Sequence, residues 1–134
     1  MHDPIVSAEL YQLGATWSYA VLSDGRPGEV DFSTRTIRVS PHLSPAETRC
    51  TILHEAGHLA LGHGSGDEDE EETEADIWAA ERLIPQNLLD WAQSIARDRR
   101  DLEMILHVDP DILDARLGGV QQQQSARIRS VRVV

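Results

Sequence analysis

The stretch TILHEAGHLALGH, residues 51–63, places His54, Glu55 and His58 inside a run of Leu53, Ala56, Leu59, Ala60 and Leu61. A helix so apolar is built to be buried, and ionisable side chains are costly to bury unless something pairs with them. Residues four apart on a helix share a face, so the two imidazoles can aim nitrogens at one metal ion. Glu55, one step after His54, does not compete for that position. It can reach a water on the same ion and take its proton, and zinc lowers the pKa of such a water to about 7. Gly57, beside His58, costs the helix about 1 kcal/mol and lets another backbone come close.

A catalytic zinc site needs a third protein ligand and an open position. The H-E-x-x-H-x-x-G-x-x-H arrangement fails here, because Leu61 and Gly64 stand where Gly and His would be required. His63 lies five residues after His58, past the expected helix end, and suits an outer or solvent-facing role better than ligation. A glutamate on a following helix, in the form E-x-x-x-D, fits best. In EETEADIWAAERLIP, Glu72 and Asp76 stand four apart, and Ala75 and Ala79 would allow close packing on the HEAGH helix. Glu72 is the favoured ligand, with Glu74, Glu71 and His63 as alternatives. Asp76 is then placed to hold a histidine N–H and fix its tautomer.

The surrounding chain reads as α+β. Residues 4–13 form a helix that Asp3 caps and Pro4 opens. TWSYAVL, GEVDF and RTIRVS are strand-like and separated by turn-rich SDGRPG and STR, which suggests a small antiparallel sheet of three strands. Ser44, Pro45 and Glu47 make a capping box for the HEAGH helix, which should end near Gly62 or Gly64. Residues 64–70 read as a Gly- and acid-rich loop, followed by a helix from about Glu71 to Ile84 that Pro85 stops. Further helices cover QNLLDWAQSIAR, DLEMILHV and PDILDARL. Trp78 and Trp91 fall at core positions. Residues 1–119 read as one domain and 120–134 as a low-complexity tail.

Composition narrows the function. Cys50 is the only cysteine, which excludes an intramolecular disulfide and any Cys-based metal site. The net charge of −11, from 23 acidic and 12 basic residues, repels phosphate backbones and argues against direct nucleic-acid binding. The last two helical segments could be read as helix-turn-helix, but Asp109, Asp111 and Asp114 crowd the start of the second. Core packing through Ile105, Leu106, Ile112, Leu113 and Leu117 is the better reading. No run is apolar enough to span a bilayer, and no signal-like start is present, so a cytoplasmic monomer is expected.

These pieces resemble the ImmA/IrrE family of metallo-endopeptidases. HEAGHLALGH and ETEADIWAAERLIP come in the family's order, RTIRVSPHLSPAETRCTILHEAGH resembles its strand, loop and active-site helix, and LEMILHVDPDILDARLGGV its closing helices. The resemblance covers about residues 15–119. It implies a zincin-like fold, zinc held by His54, His58 and Glu72, Glu55 as base, and a helix-turn-helix repressor of phage, mobile-element or stress genes as substrate. An adaptor that keeps the zinc and only sequesters its repressor is the alternative. Tyr19, His42 and His63 are candidates for stabilising the oxyanion. The acidic stretch from Asp67 to Glu71 is a candidate for steering a basic partner.

Overall fold

The computed structural model describes residues 2–64 and 68–118. Residues 120–134, read above as a tail, and Asp67 of the acidic stretch lie outside them. Among the described residues no helix is long and apolar enough to cross a membrane. The chain runs α1 (Pro4–Leu13), β1 (Thr16–Tyr19), β2 (Gly28–Asp31), β3 (Thr36–Val39), α2 (Pro45–Leu61), α3 (Glu68–Leu83), α4 (Gln86–Ile95), α5 (Arg99–Leu106) and α6 (110–118). The class is α+β, as expected.

The sheet departs from expectation: its order is β1-β3-β2, with β2 antiparallel to β3 but β1 parallel to it. Parallel neighbours cannot be joined by a tight turn. Residues 20–35 make the crossover, and β2 is part of it. The SDGRPG stretch therefore turns the chain past β3 and does not close a β1–β2 hairpin, with Asp24 and Gly25 both left-handed (φ 66° each). The β2–β3 hairpin is closed by Asp31, whose Oδ1 accepts from the backbone N–H of Ser33 and Thr34 at 3.0 and 3.3 Å. The centre falls to β3 because Ile37 and Val39 are fully buried there.

Helix α2 is the hub, packed against α1, β2, β3 and above all α3. Its Ser44–Glu47 capping box forms in both directions, and Gly62, left-handed at φ 68°, ends it. Ile52, Leu53 and Ala56 are wholly buried. Helix α3 begins at Glu68, earlier than the expected Glu71, so Glu68, Asp69 and Glu70 are first-turn residues and not loop. Four acidic side chains in that turn lie where the helix dipole favours negative charge. Trp78 is buried, with the Arg82 guanidinium 4.0 Å above its ring. Trp91, expected in the core, is 54% exposed, because α4 buries the stripe through Leu89 and Ala92 instead. Leu106, Ile112 and Leu113 are buried, with Ile105 and Leu117 packed on them, which agrees with a core role for α5 and α6.

One ion pair ties the chain's start to this core. Asp3 caps α1 through Oδ1, and its Oδ2 receives Arg49 Nε at 2.6 Å. Arg49, 7% exposed on α2, also donates to the carbonyl of His107, the left-handed residue that ends α5. Burial raises the Asp3 pKa, but Arg49 and the two cap N–H groups outweigh it and hold the carboxyl below its usual value.

Asp3→Asn keeps the cap, since Asn caps as well as Asp, but leaves Arg49 without its buried counter-charge. A loss of about 3 kcal/mol is expected in denaturant titrations near neutral pH. Because the folded pKa is depressed, the wild-type advantage is full above the unfolded value of about 3.9 and vanishes as pH falls through the folded one.

Candidate metal centre

Gly57 decides how close α3 comes to α2. A Cβ placed there would stand 3.1 Å from the Ala75 carbonyl oxygen, 3.2 Å from Ala75 Cα and 3.3 Å from the Trp78 ring. The crossing therefore lies one residue before His58 on α2 and one before Asp76 on α3, with Glu72 a turn earlier. This contact delivers a carboxylate to the histidine face.

The structure brings His54, His58 and Glu72 together. His54 Nε2 is 2.8 Å from Glu72 Oε1, and His58 Nε2 is 2.8 Å from Glu72 Oε2. The two rings meet edge to face with centroids 4.8 Å apart. One donor atom from each of the three residues falls within 4.8 Å of the others, a grouping that could hold a metal ion. The histidine side chains are 16% and 10% exposed and Glu72 is 57%, so the group is walled by protein on the imidazole side and open on the carboxylate side.

The remaining candidates take other positions. Asp76 Oδ1 lies 2.7 Å from His54 Nδ1. Glu71 accepts from the Gly64 backbone N–H at 3.1 Å. Glu74 Oε1 lies 2.8 Å from His63 Nε2, and His63 Nδ1 lies 2.8 Å from His58 Nδ1. The grouping of possible metal ligands among the described residues, His54, His58 and Glu72, includes none of these three alternatives, Glu71, Glu74 and His63.

Chemistry tests whether the donors suit a metal. Asp76 can only accept, so His54 Nδ1 carries its proton and the neutral ring leaves Nε2 bare. A bare nitrogen facing a carboxylate oxygen at 2.8 Å needs a proton or a cation between them. Two imidazole nitrogens and one carboxylate are the donor set of catalytic zinc sites of the thermolysin kind, so the residues fit a divalent ion. With no ion, burial opposes charging His54, but Asp76, Glu55 and Glu72 prevail and push its pKa up to about 9. Burial and the neighbouring His54 hold His58 below the usual histidine value.

Glu55 is 9% exposed and lines two adjoining cavities, of about 410 and 380 Å³, that share Arg26, Gly28 and Glu72 with it. Burial, with Glu72 and Glu29 adding to it against His54 and Arg26, pushes its pKa up to about 7. Sequence reading missed two residues here. Gly28 opens β2 directly over this side chain: a Cβ would fall 2.5 Å from Thr51 Cγ2 and 3.4 Å from Glu55 Cγ. Among the described residues Arg26 is the only guanidinium lining either cavity, and its turn context, SDGRPG, carried no functional signal. Tyr19 and His42, proposed for the oxyanion, line neither cavity, and both ring nitrogens of His63 are engaged elsewhere.

The profile of the peptidase M78 family, the IrrE N-terminal-like domain, matches residues 16–117. The chain belongs to the IrrE-like peptidase family. That span is close to the one on which the resemblance was drawn, and it runs from β1 to the end of α6. A solved Mycobacterium tuberculosis transcriptional regulator shares the fold with a TM-score of 0.68 at 15% identity, over 85% of this chain and 39% of that one. The IrrE-like chain thus spans about two fifths of that regulator. A search of curated proteins finds no match.

The α2–α3 crossing should tolerate no side chain. Gly57→Val is expected to lose about 1–3 kcal/mol to overpacking, because the atoms in its way are mainly backbone. Thermal unfolding and ¹H–¹⁵N spectra would check this: shifts should concentrate along α3 from Glu72 to Trp78.

Proposed function

We propose that this chain is a zinc-dependent endopeptidase that cleaves a helix-turn-helix transcriptional repressor. His54, His58 and Glu72 hold the zinc, Asp76 orients His54, and Glu55 is the general base. The observation that carries this reading is the convergence of two imidazole Nε2 atoms on a half-exposed carboxylate, beside a buried glutamate that opens onto a cleft.

Bound zinc supplies the Lewis acidity that makes water nucleophilic near neutral pH. The protein's own residues do the rest. Asp76 keeps the His54 Nδ1 proton and thereby directs Nε2 inward. Glu55 accepts a proton from the attacking water on its carboxylate and returns it to the leaving amine. A general base works best with a pKa near the operating pH, and burial moves Glu55 in that direction. Gly28 lets β2 close over the aliphatic part of Glu55 and restrict water there. Arg26 reaches the same cleft and offers N–H donors to a polarised peptide carbonyl.

Substrate preference follows from charge. One cavity is lined by Glu47, Asp109 and Asp111 and the other by Glu29, Glu68 and Glu71, with Arg26 between them. Such walls favour a basic partner, and DNA-binding repressors are basic where they meet phosphate. The repressor itself is inferred from family membership. The chain's acidity argues against a role at DNA directly.

Elemental analysis of the purified chain should give one zinc per molecule, lost in His54→Ala and His58→Ala and much weakened in Glu72→Ala. Full zinc in His58→Ala would remove the ligand assignment. Glu55→Gln should keep the zinc and abolish cleavage of the cognate repressor. Relief of repression by that variant would instead favour an adaptor that only sequesters its partner. Neutralising Asp67, Glu68, Asp69 and Glu70 together should slow cleavage and flatten its salt dependence, since exposed charges are screened within about 8 Å at physiological salt. An unchanged salt slope would take the acidic stretch out of substrate capture.

A further inference from the structure

We propose that His63 and Glu74 form an outer relay that fixes the metal-binding tautomer of His58. This rests on the reading of His58 as a ligand. Glu74 Oε1 stands 2.8 Å from His63 Nε2, and a carboxylate only accepts, so that nitrogen carries a proton. As a neutral imidazole, His63 then has a bare Nδ1. It lies 2.8 Å from His58 Nδ1, so the proton in that contact belongs to His58. His58 Nε2 is left bare, and it is the nitrogen 2.8 Å from Glu72 Oε2. The other neutral tautomer of His63 would set a bare nitrogen against the Glu74 carboxylate. Each proton position thus follows from the one outside it, and the chain of inference starts at a group that can only accept.

The fold builds this relay deliberately into the end of α2. Gly62 takes a left-handed turn, and the His63 backbone N–H then bonds the His58 carbonyl at 3.0 Å. That reversal tucks the His63 side chain, 7% exposed, back beneath the His58 ring, with the centroids 5.0 Å apart. Glu74 stands two residues beyond Glu72 on α3 and so cannot share its face. It reaches the opposite side of His58 through His63. Each histidine thereby has its outer nitrogen tied to a carboxylate of α3: His54 directly to Asp76, and His58 through His63 to Glu74. His63 and Glu74 act through His58 and are positioning residues.

The test uses the full chain loaded with zinc. Long-range ¹H–¹⁵N spectra of the imidazoles should show His58 protonated at Nδ1 and metal-bound at Nε2, with His63 protonated at Nε2 and free of metal. His63→Phe fills the same space without an acceptor and should weaken zinc binding about 10- to 100-fold in chelator competition. His63→Asn, whose amide oxygen can accept from His58 Nδ1, should recover most of that loss. Glu74→Gln should weaken binding by a smaller factor. Metal-free melting temperatures of the variants separate loss of affinity from loss of fold, and the wild-type spectra decide the tautomers even if His63→Phe does not fold. Unchanged zinc affinity in both His63→Phe and Glu74→Gln would overturn the relay while leaving the ligands intact. So would a ¹¹³Cd coupling to His63 in the cadmium-substituted protein, which would make it a ligand. Wild-type protein that binds no zinc would overturn the ligand reading and the relay together.

Discussion

The approach of α3 to α2 at Gly57 and Ala75 is the contact on which the rest of the structure turns. A glycine in the middle of a helix costs about 1 kcal/mol relative to alanine, and here that cost is offset by an approach of α3 so close that a Cβ on Gly57 would stand only 3.1–3.3 Å from Ala75 and the Trp78 ring. Ala75, Ala79 and Ala80 keep the facing helix equally thin, and all three are buried. With the axes so close, a side chain as short as glutamate spans from α3 to both histidines. The sheet matters to this arrangement chiefly as a floor: β3 seals the core through Ile37 and Val39, and β2 brings Gly28 against Glu55.

Much of this was legible because the signals are local. A capping box, a proline at a first helical position and a glycine after the last turn mark α2 from its own residues. Those at α1 and α2 formed as read. The E-x-x-x-D spacing identified Glu72 and Asp76 as the pair that meets the histidines. What could not be read depends on tertiary neighbours. Strand direction is one example: TWSYAVL looks the same whether β1 pairs in parallel or antiparallel, and only the path of residues 20–35 decides. Trp91 is another, since a helix with two candidate apolar stripes buries whichever one its partners cover. The start of α3 was missed because an acidic run reads as solvated loop until the helix dipole that tolerates it is known.

His63 shows the limit most clearly. Its position five residues after His58 placed it beyond the helix, and that was right. The left-handed turn at Gly62 then brings its ring back under the helix, a result that helical periodicity does not contain. Glu74, an alternative ligand by spacing, stands two residues beyond Glu72 and so on another face of α3, where it meets His63. Both spacings concern direct contact with the metal-binding point and say nothing about contact with the back of His58.

The crowding of charge at this site explains why its parts are so unequally buried. Glu55, Glu72, Asp76 and Glu74 bring four carboxylates to three imidazoles, and the surrounding cleft adds more acid. Two of the four carboxylates can be matched by Nδ1–H or Nε2–H donors of the histidines, which is what Asp76 and Glu74 receive. Glu72 faces both Nε2 atoms at 2.8 Å, and with its side chain 57% exposed it is the most solvent-facing of the three groups that meet there. Glu55 has no such exposure, and burial drives it towards the neutral acid. A divalent ion held there, as proposed, would neutralise Glu72 and lower the cost of the Glu55 carboxylate beside it. The same fold that sets two imidazoles against one carboxylate and buries another beside them thus concentrates negative charge where the proposed metal would sit.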